Sequence, residues 1–87
     1  MMSDALTGDL HRLKTWPEFY QAVKSGKKTF EVRKHDRYFK IGDLLCLQEW
    51  EPTTGKYTGQ KRYVEITYIL VGGQFGIEEG YCVMGFR

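Results

Sequence analysis

The sequence has few of the features that would place it outside the small globular domains. It has only two cysteines and two prolines, and its net charge at pH 7 is +2. Two cysteines are too few for a disulfide-rich scaffold, and the longest apolar run is far shorter than the ~20 residues of a membrane-spanning helix. Because 41% of the residues are hydrophobic and no tract is of low complexity, the 87 residues predict one small folded domain.

The cysteines and histidines do not form a metal-binding pattern. Cys46 and Cys82 lie in separate apolar runs without C-x-x-C spacing, and His11 and His35 do not complete a zinc set. We therefore expect buried reduced thiols, with no disulfide, no metal and no cofactor. The N-terminus carries no charged-then-apolar signal pattern, so we expect a cytoplasmic protein with no membrane partner. A monomer is the default expectation for its oligomeric state.

One helix is predicted after a short first strand from Leu10 to Lys14. Thr15 and Glu18 have the spacing of a capping box, and Gly26 is a natural C-terminal stop. Apolar residues at three- and four-residue intervals predict a stripe that packs in the core, and the alternative is a base-stacking surface. The stripe consists of Trp16, Phe19, Tyr20 and Val23.

Strands dominate the rest of the chain. An apolar run from Leu44 to Leu47 and a return strand from Lys61 to about Val71 predict a long hairpin, and alternation from Tyr81 to Phe86 predicts a final strand. About five or six strands and one N-terminal helix predict an α+β domain that is mostly β. Glycine turns between short strands favour a small closed or nearly closed barrel, which leaves few exposed edges. We expect residues 1-8 to form a flexible tail and residues 9-87 to form this domain.

The stretch from Ser25 to Lys34 carries the strongest functional pattern. In a strand, Phe30 and Val32 share one face, and this apolar pair predicts the side that supplies the core. The opposite face then carries Thr29, Glu31 and Arg33. If that face is covered it forms a site, and if it is open to water it is an ordinary solvated strand face.

Positive charge is concentrated around this strand. Seven cationic residues stand against two carboxylates between residues 24 and 40. Such clustering attracts phosphates even where the net charge is small, although charge runs also commonly face solvent. Tyr38 and Phe39 lie among these cations, and we expect one of the two rings in the core.

Two nearby segments form a motif that resembles a known family. They are residues 26–33, GKKTFEVR, and residues 39–43, FKIGD. Together they resemble the G-x-K-T-x-E-x-R…G-D signature of ASCH domains, which belong to the PUA-like superfamily of small β-barrels associated with RNA. The sequence around His11 to Lys14 and the closing residues 80–85 are more closely similar to an uncharacterised bacterial and phage branch of that group, the domain of unknown function 3850. The resemblance covers nearly the whole chain after Gly8.

The resemblance implies a PUA-like β-barrel that binds RNA or a nucleotide-like ligand in a polar cleft beside the barrel. The positions that match the motif are Lys28, Thr29, Glu31 and Arg33. We expect the rim of the cleft to be formed by Lys27, Lys34, Arg37, Tyr38 and Lys40. Arg33 can offer a planar fork to a phosphate, and Glu31 can accept from an exocyclic amine. The alternative is that ion pairs among these residues only hold the strand in place.

Two further functions stay open. Some ASCH relatives are amidohydrolases that remove an acyl group from modified cytidine, and a threonine nucleophile stands where this chain has Glu31. A small hydrolase of a modified nucleoside would use Lys28 and Glu31, and no other catalytic residue is indicated. The third function is a protein-interaction module with a basic face. Because the matching nucleophile is absent, we place binding before catalysis.

Overall fold

A computed structural model that describes residues 8–87 contains one helix and five strands in those residues. The elements are β1 (Leu10–Thr15), α1 (Pro17–Lys24), β2 (Phe30–Lys34), β3 (Leu44–Glu51), β4 (Lys56–Val71) and β5 (Tyr81–Phe86). The prediction of a mostly β domain with one helix is therefore confirmed. The predicted tail, residues 1-8, lies outside the described residues except for Gly8.

The five strands form one mixed sheet in the order β1-β3-β4-β5-β2. β1 is parallel to β3, and the other neighbouring pairs are antiparallel. β4 has 16 residues and pairs with β3 up to Glu65 and with β5 from Ile66 onward. A register shift between Ile66 and Tyr68 lies just after this change of partner, where a bulge increases strand bending and twist. One long strand thus links the two halves of the sheet.

The sheet is open, which corrects the prediction of a closed or nearly closed barrel. β1 and β2 are its two edges, and no backbone ladder joins them within residues 8–87. Arginine side chains cross between them instead. Arg33 Nη2 donates to the carbonyl of Lys14 at 2.6 Å, and Arg37 Nη1 donates to the carbonyl of Arg12 at 2.8 Å. The number of strands suggested that the sheet closes into a barrel. Instead, the guanidinium groups of Arg33 and Arg37 bond the exposed carbonyls of β1 that a neighbouring strand would otherwise pair with.

The core contains apolar side chains from both halves of the sheet, the helix and one loop. It consists of Leu13, Val23, Phe39, Leu45, Leu47, Val64, Ile66, Cys82, Met84 and Phe86. Full burial of each large aliphatic side chain contributes about 2 kcal/mol. Phe39 is the aromatic loop residue that enters the core, whereas Tyr38 is 88% exposed. Cys46 and Cys82 are buried free thiols as predicted, and burial raises the pKa of Cys82.

The helix begins differently from the prediction. Trp16 is the N-cap and makes no side-chain capping bond, so the Thr15–Glu18 capping box is wrong. Thr15 instead ends β1, where its backbone is held in the strand and its hydroxyl donates to the carbonyl of Leu13 at 3.3 Å. The predicted stop is confirmed, because Gly26 follows the C-cap with a φ of 82°. In the described residues, no helix is long and apolar enough to span a membrane.

Candidate ligand-binding cleft

β2 turns its charged side inward, opposite to the predicted orientation. Glu31 is 3% exposed, whereas Phe30 and Val32 are 45% and 53% exposed. Glu31 pairs in register with Met84, a core residue on β5, and this places its side chain on the inner face. Alternation defines which residues share a face but not which face is buried. The predicted core role of Phe30 and Val32 is therefore wrong.

Two cations hold the buried carboxylate of Glu31. Lys28 Nζ donates to Oε1, and Arg33 Nε donates to Oε2 at 2.8 Å. Lys28 also donates to the carbonyl of Phe30 at 2.7 Å, while Arg33 Nη2 reaches the carbonyl of Lys14. These partners offset the cost of burying the charge, which is several kcal/mol for an unpaired ion. The structure thus contains the Lys28–Glu31 and Arg33–Glu31 ion pairs that the sequence analysis gave as an alternative to a binding site.

The same two cations keep hydrogen-bond donors that the carboxylate does not use. An ammonium has three N–H donors and a guanidinium has five. With two bonds each in the described part of the chain, Lys28 retains one donor and Arg33 retains three. The side chains of Lys28 and Arg33 are 18% and 28% exposed, so a ligand in contact with solvent can reach them.

A cleft of about 580 Å³ lies between the edge strands and the start of α1. Its lining combines aromatic, aliphatic and charged side chains. The lining residues are Lys14, Thr15, Trp16, Phe19, Lys28, Phe30, Glu31, Val32 and Arg33. The volume falls within the ~300–1,000 Å³ that is usual for small-molecule sites. The ammonium of Lys28 lies 5.9 Å from the ring centre of Phe19 and 5.2 Å from that of Phe30, so charge and aromatic surface adjoin.

The structure separates the nine sequence-predicted binding residues into two groups. Lys28, Glu31 and Arg33 line the cleft. The others lie outside its lining and are Lys27, Thr29, Lys34, Arg37, Tyr38 and Lys40. Arg37 contacts the edge of β1, and Lys40 Nζ lies 2.8 Å from Asp9 Oδ2. The motif strand therefore contributes to the cleft, whereas the following loop does not.

Sequence reasoning placed the aromatic wall of this cleft in the core and gave an exposed base-stacking surface only as the alternative. Trp16 and Phe19 were assigned to the core with Tyr20 and Val23, but they are 53% and 44% exposed. Only the second half of the stripe is buried, since Tyr20 and Val23 are 1% and 6% exposed. Helical spacing could not separate the two halves, because all four residues lie on one side of the helix. The available signal was the shortness of the helix, which has about two turns and begins immediately after a strand.

A second charged cluster lies outside the cleft lining. Ligand atoms of Asp9, His11 and Asp43 lie within 4.8 Å of one another, a spacing that could hold a metal ion. However, His11 Nε2 is 2.8 Å from Asp43 Oδ2, and the ammonium of Lys40 lies 2.8 Å from Asp9 Oδ2 and 3.6 Å from Asp43 Oδ2. Lys40 thus already supplies a cation, and the cluster joins the start of β1 to the loop before β3.

Hydrogen bonds shift the pKa values of Asp43 and Lys40 in this second cluster. Burial by itself raises the pKa of Asp43, but bonds from His11 and from the backbone N–H groups of Asp9 and Lys40 outweigh it. The pKa of Asp43 therefore lies below its ordinary value of 3.8. The hydrogen bond to Asp9 raises the pKa of Lys40. Both shifts favour the ionised forms, as expected for a structural ion network.

Comparison with known proteins identifies the family. The family described as a domain of unknown function, DUF3850, matches residues 10–86, and the chain belongs to it. The chain is also 40% identical over 58 residues to the "Uncharacterized 12.9 kDa protein in GpA 3'region" of Escherichia phage P2. That match covers 67% of this chain and 51% of the phage protein, so it spans about half the length of that relative. The predicted membership in a bacterial and phage branch is confirmed at the level of this family.

Proposed function

We propose that the protein binds RNA or a nucleotide, with one base and its phosphate held in the cleft. The main support is the composition of this cleft. Its aromatic wall of Trp16 and Phe19 adjoins two cations, Lys28 and Arg33, that keep unused N–H donors. Aromatic side chains bind bases of any sequence by stacking, worth about 1–3 kcal/mol per base. Arg33 presents a planar fork suited to phosphate or to the acceptor edge of a base.

Glu31 acts in this proposal by positioning the cations. Its two oxygens each accept from one cation, which fixes Lys28 and Arg33 on neighbouring sides of the cleft floor. Lys28, Glu31 and Arg33 together carry a net charge of +1, and that favours a monoanionic group such as a phosphodiester. A ligand would therefore meet preorganised donors and would not need to recruit them from solvent.

The proposal includes a relationship to ASCH and PUA-like domains and a cytoplasmic location. The GKKTFEVR segment that carries the resemblance contributes Lys28, Phe30, Glu31, Val32 and Arg33 to the cleft. Two buried free thiols agree with a reducing compartment, where RNA is also present.

A hydrolase of a modified nucleoside is the second candidate, because Lys28 and Glu31 are in direct contact in the cleft. Its nucleophile would have to be water. Thr29 is absent from the lining, and the hydroxyl of Thr15 is buried and bonded to a backbone carbonyl. A basic protein-binding face has less support, since Arg37 and Lys40, two cations of the predicted rim, bond elsewhere in the protein.

The decisive measurement is an amide chemical-shift titration with the four nucleoside monophosphates and a short single-stranded RNA. We expect shifts in residues 14–19 and 28–33. Phe19→Ala should weaken binding roughly fivefold or more, because it removes a stacking ring. Phe75→Ala is the matched control, since Phe75 is 84% exposed and lies outside the cleft lining.

Absence of any shift in the folded wild type would reject the proposal. Equal losses from Phe19→Ala and Phe75→Ala would reject the aromatic wall as the binding surface. Turnover of N-acylated nucleosides that is lost in Lys28→Ala would replace binding by the hydrolase function. Lack of turnover across such compounds would reject the hydrolase function.

A further inference from the structure

The face of β1, β3 and β4 that lies opposite the core carries three rows of paired residues, most of which are aromatic or cationic. Strand register places paired residues on the same face of a sheet. The rows are Arg12–Cys46–Tyr63, Lys14–Gln48–Lys61 and Trp50–Tyr57. The neighbouring positions Leu13, Leu45 and Leu47 belong to the core, which places these rows on the other side. We call this surface the outer face.

The outer face is rich in cations and exposed rings. Lys14 Nζ lies 4.4 Å from the ring centre of Trp50, and Lys61 Nζ lies 5.9 Å from that of Tyr63. Tyr57 and Tyr63 are 51% and 53% exposed. None of the residues in these rows, all within the described part of the chain, is acidic. The next row pairs Leu44 with Glu65, and on β3 Glu49 and Glu51 alternate with the residues of the rows. The three rows themselves carry three cations, Arg12, Lys14 and Lys61, and their own charge is therefore positive.

The outer face also continues into the cleft. Lys14 belongs to the second row and lines the cleft, and Trp16, two residues further on, forms part of the cleft wall. A chain that enters the cleft can therefore cross β1 at Lys14 and continue over Trp50 and Lys61. Successive rings and ammonium groups of this kind match the alternating bases and phosphates of a single strand.

We infer that the outer face is a second contact surface for single-stranded RNA, which binds the nucleotides next to the one in the cleft. The inference takes its ligand class from the proposed function. Lys14, Lys61 and Arg12 would contact phosphates, while Tyr63 and Tyr57 would stack on bases. The face recognises charge and aromatic surface and is therefore tolerant of sequence.

Two ligands separate the outer face from the cleft. A single nucleoside monophosphate occupies only the cleft, whereas a single-stranded RNA of about six nucleotides reaches both surfaces. Affinities would be measured by chemical-shift titration for the nucleotide and by fluorescence anisotropy for the RNA at several salt concentrations. The variants of the outer face are Lys61→Ala and Tyr63→Ala.

The chain offers a matched control for each variant. Lys24→Ala removes an exposed charge from the end of α1, and Tyr68→Ala removes a ring that is 65% exposed on the other half of β4. We expect Lys61→Ala to reduce the slope of log affinity against log salt by about 0.7 for RNA. Tyr63→Ala should weaken RNA binding roughly fivefold or more. Both variants should bind the nucleotide as the wild type does.

The outcomes separate this inference from the proposed function. If the outer-face variants bind RNA as their controls do, while Phe19→Ala weakens binding, the outer face is rejected and the cleft stands. A second outcome is that RNA binding depends on Lys61 and Tyr63, no nucleotide binds, and Phe19→Ala leaves RNA affinity unchanged. In that case the cleft is rejected and the outer face stands. Poly-glutamate binding with the affinity and salt slope of RNA, unaffected by Tyr63→Ala, would reject RNA as the occupant.

Discussion

Glu31 and Asp43 are both buried carboxylates, yet their donors differ in kind. Asp43 accepts from the backbone N–H groups of Asp9 and Lys40, both at 3.0 Å, and contacts His11. Among residues 8–87, Glu31 accepts only from the side chains of two cations. The backbone donors fix the position of Asp43 relative to the main chain. The side-chain donors to Glu31 are Lys28 and Arg33, which keep unused N–H groups and line the cleft. Burial of a carboxylate is therefore less informative than the identity of the groups that hold it.

The largest expected effect tests the structural member of this pair. Asp43→Ala leaves the buried His11 and the part-buried N–H groups of Asp9 and Lys40 without their acceptor, and it should lower the free energy of unfolding by about 3 kcal/mol, measured by urea denaturation. The folded fraction should still bind nucleotide with wild-type affinity. Asp36→Ala is the control, because that side chain is 58% exposed and its loss should cost less than about 0.5 kcal/mol. Loss of nucleotide binding in folded Asp43→Ala would remove the distinction between the two carboxylates.

A smaller effect tests the ligand-binding member. Arg33→Lys keeps a positive charge beside Glu31 but loses the planar fork, so nucleotide affinity should fall about tenfold. Arg37→Lys is closely matched, because Arg37 also donates to an edge carbonyl of β1 but lies outside the cleft lining. We expect Arg37→Lys to bind nucleotide as the wild type does. If both variants lose nucleotide affinity equally, the result would support the rim predicted from the sequence, with Arg37 as part of the site.

The smallest expected effect is the pH dependence of stability. The pKa of Asp43 is lower in the folded protein than its ordinary value of 3.8, so its ionised form stabilises the fold. This contribution is complete above 3.8 and is lost as pH falls through the lower, folded pKa. The difference in unfolding free energy between wild type and Asp43→Asn should therefore shrink on acidification below pH 3.8. A difference that stays constant down to full protonation would contradict the lowered pKa.

Much of the secondary structure was predictable because it depends on local pattern. Alternation located β1 and β5, and the apolar run and turn residues located the hairpin of β3 and β4. The strand that carries Glu31 was also located correctly. Its orientation was not, because that depends on pairing with Met84 on β5, more than fifty residues away in sequence. The failed capping box at Thr15 has a similar cause, since pairing with β3 holds this residue in a strand.

The candidate cleft was predictable only in part. Lys28, Glu31 and Arg33 were found because the motif strand itself lines the cleft. Trp16 and Phe19 were assigned to the core because apolar spacing does not show which part of a stripe becomes buried. The rows of the outer face were also not predicted, since residues such as Arg12 and Tyr63 become neighbours only through two successive strand pairings.

The sequence by itself determined the mostly β composition, the single helix, the buried thiols and the motif strand with its alternating charges. These features depend on propensity and period, which act over a few residues. The tertiary structure alone decided that the sheet stays open, that Glu31 rather than Phe30 faces inward, and that a cleft forms between the edges. Those outcomes follow from register and from which strands become edges, and both are set by contacts between distant parts of the chain.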